Sequence, residues 1–328
     1  MTPYVPRTPV YLDCDTGIDD SLALGYLLAS PEIDLVGVGT VSGNVSAAQA
    51  ARNTLDLLSL AGRDDIPVAV GAHHPLVGTF DGGVPHIHGR NGVGDIQLPV
   101  SPRSAVAEDA SQLLVRLARQ HAGRLRIVTV GPTTNIAAAL ELDPELPGLI
   151  SEITAMGGAA LAPGNLSPVA EANIGNDPEA AARLFAAPWD LTLVPLDVTL
   201  ENILEEADRQ ALLNAPAALP RALGAMLDIY FDFYLPLYGR RCSALHDPLA
   251  AAIAVGGIKA VRAPAVPIVV DATCGPGRGQ TICDLRGQRQ GAIDHPGVRT
   301  RVVLETDRPL ASDLLGRLLA LPLAAAAH

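Results

Sequence analysis

The chain has 328 residues, of which 48% are apolar and 18% charged, with 23 Lys+Arg against 35 Asp+Glu for a formal net charge of −12. This is a globular composition, neither disordered nor fibrous. A single lysine, Lys259, argues against a nucleic-acid partner gripped by clustered basic groups, and no uninterrupted apolar run of about 18 residues argues for a membrane span.

Taken in chain order, Met1–Thr8 holds no apolar signal core, so no export signal is expected and the cytoplasm is the predicted compartment. The first apolar run, Val10–Cys14, predicts a strand leading into Asp13-Cys14-Asp15-Thr16-Gly17-Ile18-Asp19-Asp20 and a helix over Ser21–Ala29. A second strand, Leu35–Val41, ends in Ser42-Gly43-Asn44 before a helix over Ser46–Ala61. Strand Ile66–Val70 and helix Ala105–His121 follow, then strand Leu125–Val130 and the turn Gly131-Pro132-Thr133-Thr134-Asn135. Strand Ile153–Met156 opens into a loop with Asn165, Glu171 and Asn173, followed by helix Pro178–Ala187 and strand Leu191–Leu196. Helix Pro248–Val255 and strand Val266–Val270 complete the series.

Strands without clean alternation, separated by helices, predict an α/β fold: a doubly wound, mostly parallel sheet flanked by helices on both faces. Neither a linker nor an internal repeat divides residues 1–328, so one domain is expected. Such sheets place ligands at the carboxyl ends of their strands. The polar residues just after each strand are therefore the candidate site.

Four aspartates within eight residues at the first of these turns need a counter-charge that the chain's basic residues do not supply. One could cap the following helix and a second would benefit from its dipole. A bound cation accounts for the rest, and an oxygen-only ligand set suits a hard ion such as Ca²⁺. Asp247 in Leu245-His246-Asp247-Pro248 reads on its own as a helix cap before proline, yet His246 beside it presents an imidazole and a carboxylate together.

Two other patterns carry less. Gly275-Pro276-Gly277-Arg278-Gly279 runs into a predicted strand, Thr281–Cys283, where a phosphate loop would run into a helix. His73-His74 and His86-Ile87-His88 lack a third zinc ligand at standard spacing, which leaves them as loop histidines that can face a substrate. Cys14, Cys242, Cys274 and Cys283 form no framework and are expected as free thiols.

Six blocks in order, Asp13–Asp20, Val41–Asn44, Gly131–Ile136, Met156–Gly158, Glu171–Ala180 and His246-Asp247, resemble the inosine–uridine-preferring nucleoside hydrolases from about Val10 to about Asp284. The resemblance implies a Rossmann-like nucleoside hydrolase fold and hydrolysis of the N-glycosidic bond of a ribonucleoside. It also implies Ca²⁺ on the side chains of Asp15, Asp20 and Asp247 and on the carbonyl of Val130. The ribose 2′- and 3′-hydroxyls and one water would complete that ion's shell, with Asp15 as the base acting on the water.

By the same resemblance Asp19, Asn44, Asn165, Glu171 and Asn173 hydrogen-bond the ribose, and Met156 lines the pocket. His246 becomes the general acid for the leaving base, with His88 close to the base. Without the resemblance, each Asn reads as a turn residue and Met156 as core filling. Relatives form dimers or tetramers, so a homodimer or homotetramer is expected.

Purine-specific relatives sandwich the base between tryptophans, whereas here the one Trp, Trp189, stands outside the blocks. Tyr230, Tyr234 and Tyr238 share one face of a predicted helix. Tyr234 and Tyr238 match base-contacting positions, and Tyr230 is left with the core. The aromatic pattern tilts specificity toward pyrimidine or broad ribonucleosides. Two alternatives are a non-catalytic nucleoside- or ribose-binding protein on the same scaffold and a haloacid-dehalogenase-type phosphatase. The phosphatase motif wants Thr where Gly17 stands, and a phosphate-binding lysine.

Overall fold

Seven strands form one sheet in the structure, a computed structural model that describes residues 7–323. They are β1 (Thr8–Cys14), β2 (Ile33–Thr40), β3 (Val68–Val70), β4 (Leu125–Thr129), β5 (Ile150–Met156), β6 (Leu191–Val194) and β7 (Thr300–Val302). Their order is β7-β6-β5-β4-β1-β2-β3, and every pairing is parallel. Successive residues of β1 feed opposite faces, as the pleat requires. Val10, Leu12 and Cys14 join one apolar cluster, while Tyr11 joins another.

The first face is covered by α1 (Ile18–Leu28), α2 (Ala47–Leu60), α3 (Ala218–Tyr238), α4 (His246–Ala254) and α5 (Ala311–Leu319). Helices Ala110–Gln120, Thr134–Leu142 and Pro178–Ala186 cover the second. Burial on both faces is why the strands read as continuous Val/Ile/Leu runs.

Two expectations shift. The run at Val266–Val270 does form a strand, Ile268–Val270, but it pairs antiparallel with Thr281–Cys283 outside the main sheet. The seventh strand is instead Thr300–Val302, an edge strand of three residues with an exposed Arg301 at its centre, too short to show a period. The predicted Ala105–His121 helix begins only at Ala110, because the Asp109 carboxylate caps it by accepting from the Gln112 amide at 2.9 Å.

The winding reverses between β1 and β4, which lie side by side while their chains turn away in opposite directions. A crevice opens at such a reversal. The acidic turn after β1 and the Gly131-Pro132 turn after β4 flank it. Among the described residues no helix is long and apolar enough to cross a membrane, and all four cysteines are free. Residues 1–6, on which the export-signal expectation mostly rests, lie outside the described residues, as do residues 324–328.

Candidate active site

The turn after β1 folds back on the start of α1 through Asp20. One Asp20 oxygen accepts from the Asp15 amide at 3.0 Å, the other from the Gly17 amide at 2.8 Å and from Asn44 Nδ2 at 3.0 Å. Asp15 takes the Asn44 amide on Oδ2 at 2.6 Å, while its buried Oδ1 has no hydrogen-bond partner. A Cβ on Gly131 would stand 2.9 Å from that Oδ1, so glycine lets the turn after β4 pass this close to Asp15. Helix α4 brings Asp247 in from across the crevice. Carboxylate oxygens of Asp19, Asp20 and Asp247 all lie within 4.8 Å of one another.

Asp13 leaves this group. It sits inside β1 and points to the same face as Tyr11, where its Oδ2 accepts from Asn135 Nδ2 at 3.0 Å and from the Tyr11 hydroxyl at 3.3 Å.

None of the four clustered carboxylates is more than 6% exposed. Burial, then the charge of Asp19, pushes Asp20 up to about 7. Burial, then Asp20, raises Asp15, and burial with Asp19, Asp20, Asp15 and Glu171 raises Asp247 well above the usual carboxylate range. Burial also raises Asp19. Ionising such a cluster together is costly unless a cation balances it.

The donor set fits a hard divalent cation: clustered oxygens, an orphaned Asp15 Oδ1, and no lysine or arginine among the partners of these carboxylates. The Val130 carbonyl, just past β4, accepts only from Asn173 Nδ2 at 2.9 Å and keeps a lone pair. The closest trio contains Asp19 where the resemblance gave Asp15, and Asp15 joins it through Asp20.

On a second wall, Glu171 caps the short helix Ala172–Asn176. It accepts from the amides of Asn173 at 2.9 Å, Gly158 at 2.8 Å and Ile174 at 3.2 Å, and burial pushes it up to about 7. Asn173 Nδ2 also reaches the Met156 carbonyl at 3.2 Å, so Val130, Met156 and Asn173 meet. Asn165 stands apart from this group. It is exposed, and its Oδ1 takes the Ala172 amide at 2.9 Å.

The third wall is aromatic. His88 Nδ1 accepts from the Ile18 amide at 3.0 Å, and burial, with His86 adding to it, lowers the ring to about 3. The imidazole is therefore neutral with its proton on Nε2. His246 is held at both nitrogens, 2.7 Å from the Tyr234 hydroxyl at Nε2 and 2.7 Å from Thr199 Oγ1 at Nδ1. Burial lowers its pKa, while Asp19 pulls it back up. Tyr238 is half-buried and donates to the Leu200 carbonyl at 3.0 Å.

Tyr230, left with the core by sequence, stands between the rings of His88 (5.3 Å) and Tyr234 (5.1 Å) with its hydroxyl against Asp19. Its spacing with Tyr234 was the available signal, but a helical stripe facing a core has the same period. Thr199 carried no such signal. Trp189 is buried far along the sheet, with Nε1 donating to the Leu184 carbonyl at 2.8 Å. Arg278 forks onto Glu179 at 2.9 Å on both nitrogens and so pins its own loop to helix Pro178–Ala186.

Comparison with known proteins gives a consistent result. The family model described as inosine-uridine preferring nucleoside hydrolase matches residues 10–312. The inosine-uridine preferring nucleoside hydrolase of Crithidia fasciculata is 32% identical over 311 residues, 94% of this chain and 98% of that protein. Probable uridine nucleosidase 2 of Arabidopsis thaliana is 37% identical over 243 residues, 74% of this chain and 76% of its own length. Among solved structures, a purine-preferring ribonucleoside hydrolase from Gardnerella vaginalis superposes with a TM-score of 0.87 at 36% identity, covering 95% of this chain and 98% of that one.

Proposed function

We propose, since the chain belongs to the inosine-uridine preferring nucleoside hydrolase family, that it hydrolyses the N-glycosidic bond of ribonucleosides with Ca²⁺ as cofactor, Asp15 as base and His246 serving the leaving base. The observation that carries the reading is the buried carboxylate cluster at the strand ends with Asp15 Oδ1 unpartnered. Asp15, Asp20, Asp247 and the Val130 carbonyl would hold the ion. Bound there, it would orient the ribose and make a neighbouring water more acidic. Asp15 takes the proton of the attacking water on Oδ1, while the Asn44 amide fixes Oδ2.

Positive charge grows on the ribose as the bond to the base lengthens, and the surrounding carboxylates stabilise it. Asp19, Asn44, Asn165, Glu171 and Asn173 hydrogen-bond the sugar, with Met156 beneath it. Asn165, whose Oδ1 holds the Ala172 amide, would donate from Nδ2. His246, with Tyr234 at Nε2, meets the leaving base, and His88, Tyr230, Tyr234 and Tyr238 form its surroundings.

Names of relatives span uridine, inosine–uridine and purine preference, so specificity rests on this wall. A tyrosine–histidine surface without tryptophan favours pyrimidine or broad use. The sheet takes strands from residue 8 to residue 302, which supports a single domain. We further infer a cytoplasmic homodimer or homotetramer. Ribose release from a nucleoside panel, with and without chelator, tests the reading. Nucleoside binding without turnover would instead identify a binding protein.

Protonation sets the cation dependence. Asp20 rises to about 7 in the metal-free fold, against about 4 for an unfolded carboxyl. The folded state then binds the proton more tightly, so this contribution to stability is present at low pH and lost as pH rises through about 7. Ca²⁺ should reverse that loss. The Ca²⁺-induced rise in Tm is expected to be larger at pH 8 than at pH 5, and a larger rise at pH 5 contradicts the assignment.

His246→Ala is expected to lower kcat on nucleosides about a hundredfold, the usual worth of a positioned acid. On a riboside whose leaving group is an acidic phenol, needing no proton, the loss should stay under about tenfold by the same argument. Equal losses on both would remove His246 from that role.

A further inference from the structure

One side chain joins the ends of four strands. Asn135 lies in the first turn after β4 and is 1% exposed. Its Nδ2 donates to Asp13 Oδ2 at 3.0 Å, near the end of β1, and to the Thr40 carbonyl at 3.0 Å, at the end of β2. Its Oδ1 accepts from the Ala72 amide at 2.8 Å, just past β3. Both amide hydrogens and the carbonyl are thereby used.

We propose that Asn135 is a positioning residue for hydrolysis: it fixes the spacing of the strand ends that carry Asp15, Asn44 and the Val130 carbonyl. The inference rests on the reading of Asp15 and Val130 as metal and water ligands. Asp13 stands two residues before Asp15 and Thr40 four before Asn44, while Val130 lies five before Asn135 itself. No other described side chain hydrogen-bonds to the ends of β1, β2 and β3 together. A shift of about 1 Å between reacting groups can cost about a hundredfold in rate, so a link of this kind acts on chemistry without touching substrate.

Packing agrees. A Cβ on Gly71 would overlap the Asn135 carbonyl, so the chain past β3 approaches this amide as closely as backbone permits. The Asp13 carboxylate, for its part, receives only Tyr11 and Asn135, and its Oδ1 has no partner. Removing the amide donor would leave a buried carboxylate with one hydrogen bond.

The test replaces the donor at nearly constant shape. Asn135→Asp keeps an oxygen for the Ala72 amide and turns an acceptor toward Asp13 and Thr40. Asn135→Ala removes all three bonds. Ca²⁺ affinity by calorimetry and kcat and KM at saturating Ca²⁺ are measured for both, well below each variant's melting temperature.

The expected result is Ca²⁺ binding weakened about tenfold or more and kcat lowered about a hundredfold, with KM changed less than about threefold. Combining Asn135→Asp with Asp13→Asn, which returns a donor to the pair, should recover part of both losses. Ca²⁺ affinity and kcat within about twofold of the parent in either folded variant would overturn the inference. So would losses that track the unfolded fraction on warming. A parent that binds Ca²⁺ but releases no ribose would sink the hydrolase reading, and the calorimetric arm would then decide whether Asn135 positions the metal ligands. A parent without Ca²⁺ binding would overturn both.

Discussion

Asp15→Ala is expected to lower kcat on ribonucleosides by about a thousandfold or more, at the upper range for a general base that also helps hold the cation. The geometry concentrates two duties in one carboxylate. Oδ2 is tied to the Asn44 amide at 2.6 Å, which fixes the carboxylate, and Oδ1 is left without a partner close beside Gly131. Asp15→Asn separates the duties. It preserves the shape and an oxygen for the Asn44 amide but places a nitrogen where no proton can be accepted, so kcat should fall nearly as far while the fold's melting temperature stays close to the parent. Ribose release under saturating Ca²⁺ checks both variants, and substantial activity in Asp15→Asn would remove the base assignment.

The second large effect concerns the sugar. A 2′-deoxyribonucleoside is expected to be turned over with kcat/KM about ten-thousandfold below its ribonucleoside, as in other sites built to pair with a substrate hydroxyl. Asp19, Glu171 and Asn173, the groups assigned to the sugar, are buried, and a hydroxyl missing from the substrate removes a partner from such groups. The penalty falls on the protein's own polar atoms, so no rearrangement of the base recovers it. Uridine against 2′-deoxyuridine, and inosine against 2′-deoxyinosine, should show the same ratio. A ratio near one for either pair would place the sugar recognition elsewhere.

Much of this site was legible because strand ends are legible. Asp15, Asn44 and Val130 each stand at or just past the end of an apolar run, and the parallel winding rule sends all such ends to one side. What the sequence lacked were the contacts between distant segments. Thr199 on the far side of His246, and Asn135 against Asp13 and Thr40, are pairings that no local period encodes. Asp13 and Asp15 look alike in sequence but part company because one lies within the pleat of β1 and the other beyond its end. Tyr230 does pack in the core as read, but its hydroxyl also reaches Asp19, a contact that periodicity, which reports only that a face is buried, does not show. The edge strand Thr300–Val302 is defined by its pairing with β6 rather than by any pattern of its own.

The placement of β1 at the middle of the sheet has a consequence for synthesis on the ribosome. The first strand made is the one whose neighbours are made later: β2 soon after, β4 only past residue 125, and the helix bearing Asp247 later still. Helix α1, which carries Asp19 and Asp20, also packs on the last described helix, where the Tyr26 hydroxyl donates to Asp313 at 2.6 Å. Domains complete themselves as units. A nascent chain therefore emerges with its acidic turn finished in sequence and unfinished in space until the helix bearing Asp247 has left the exit tunnel.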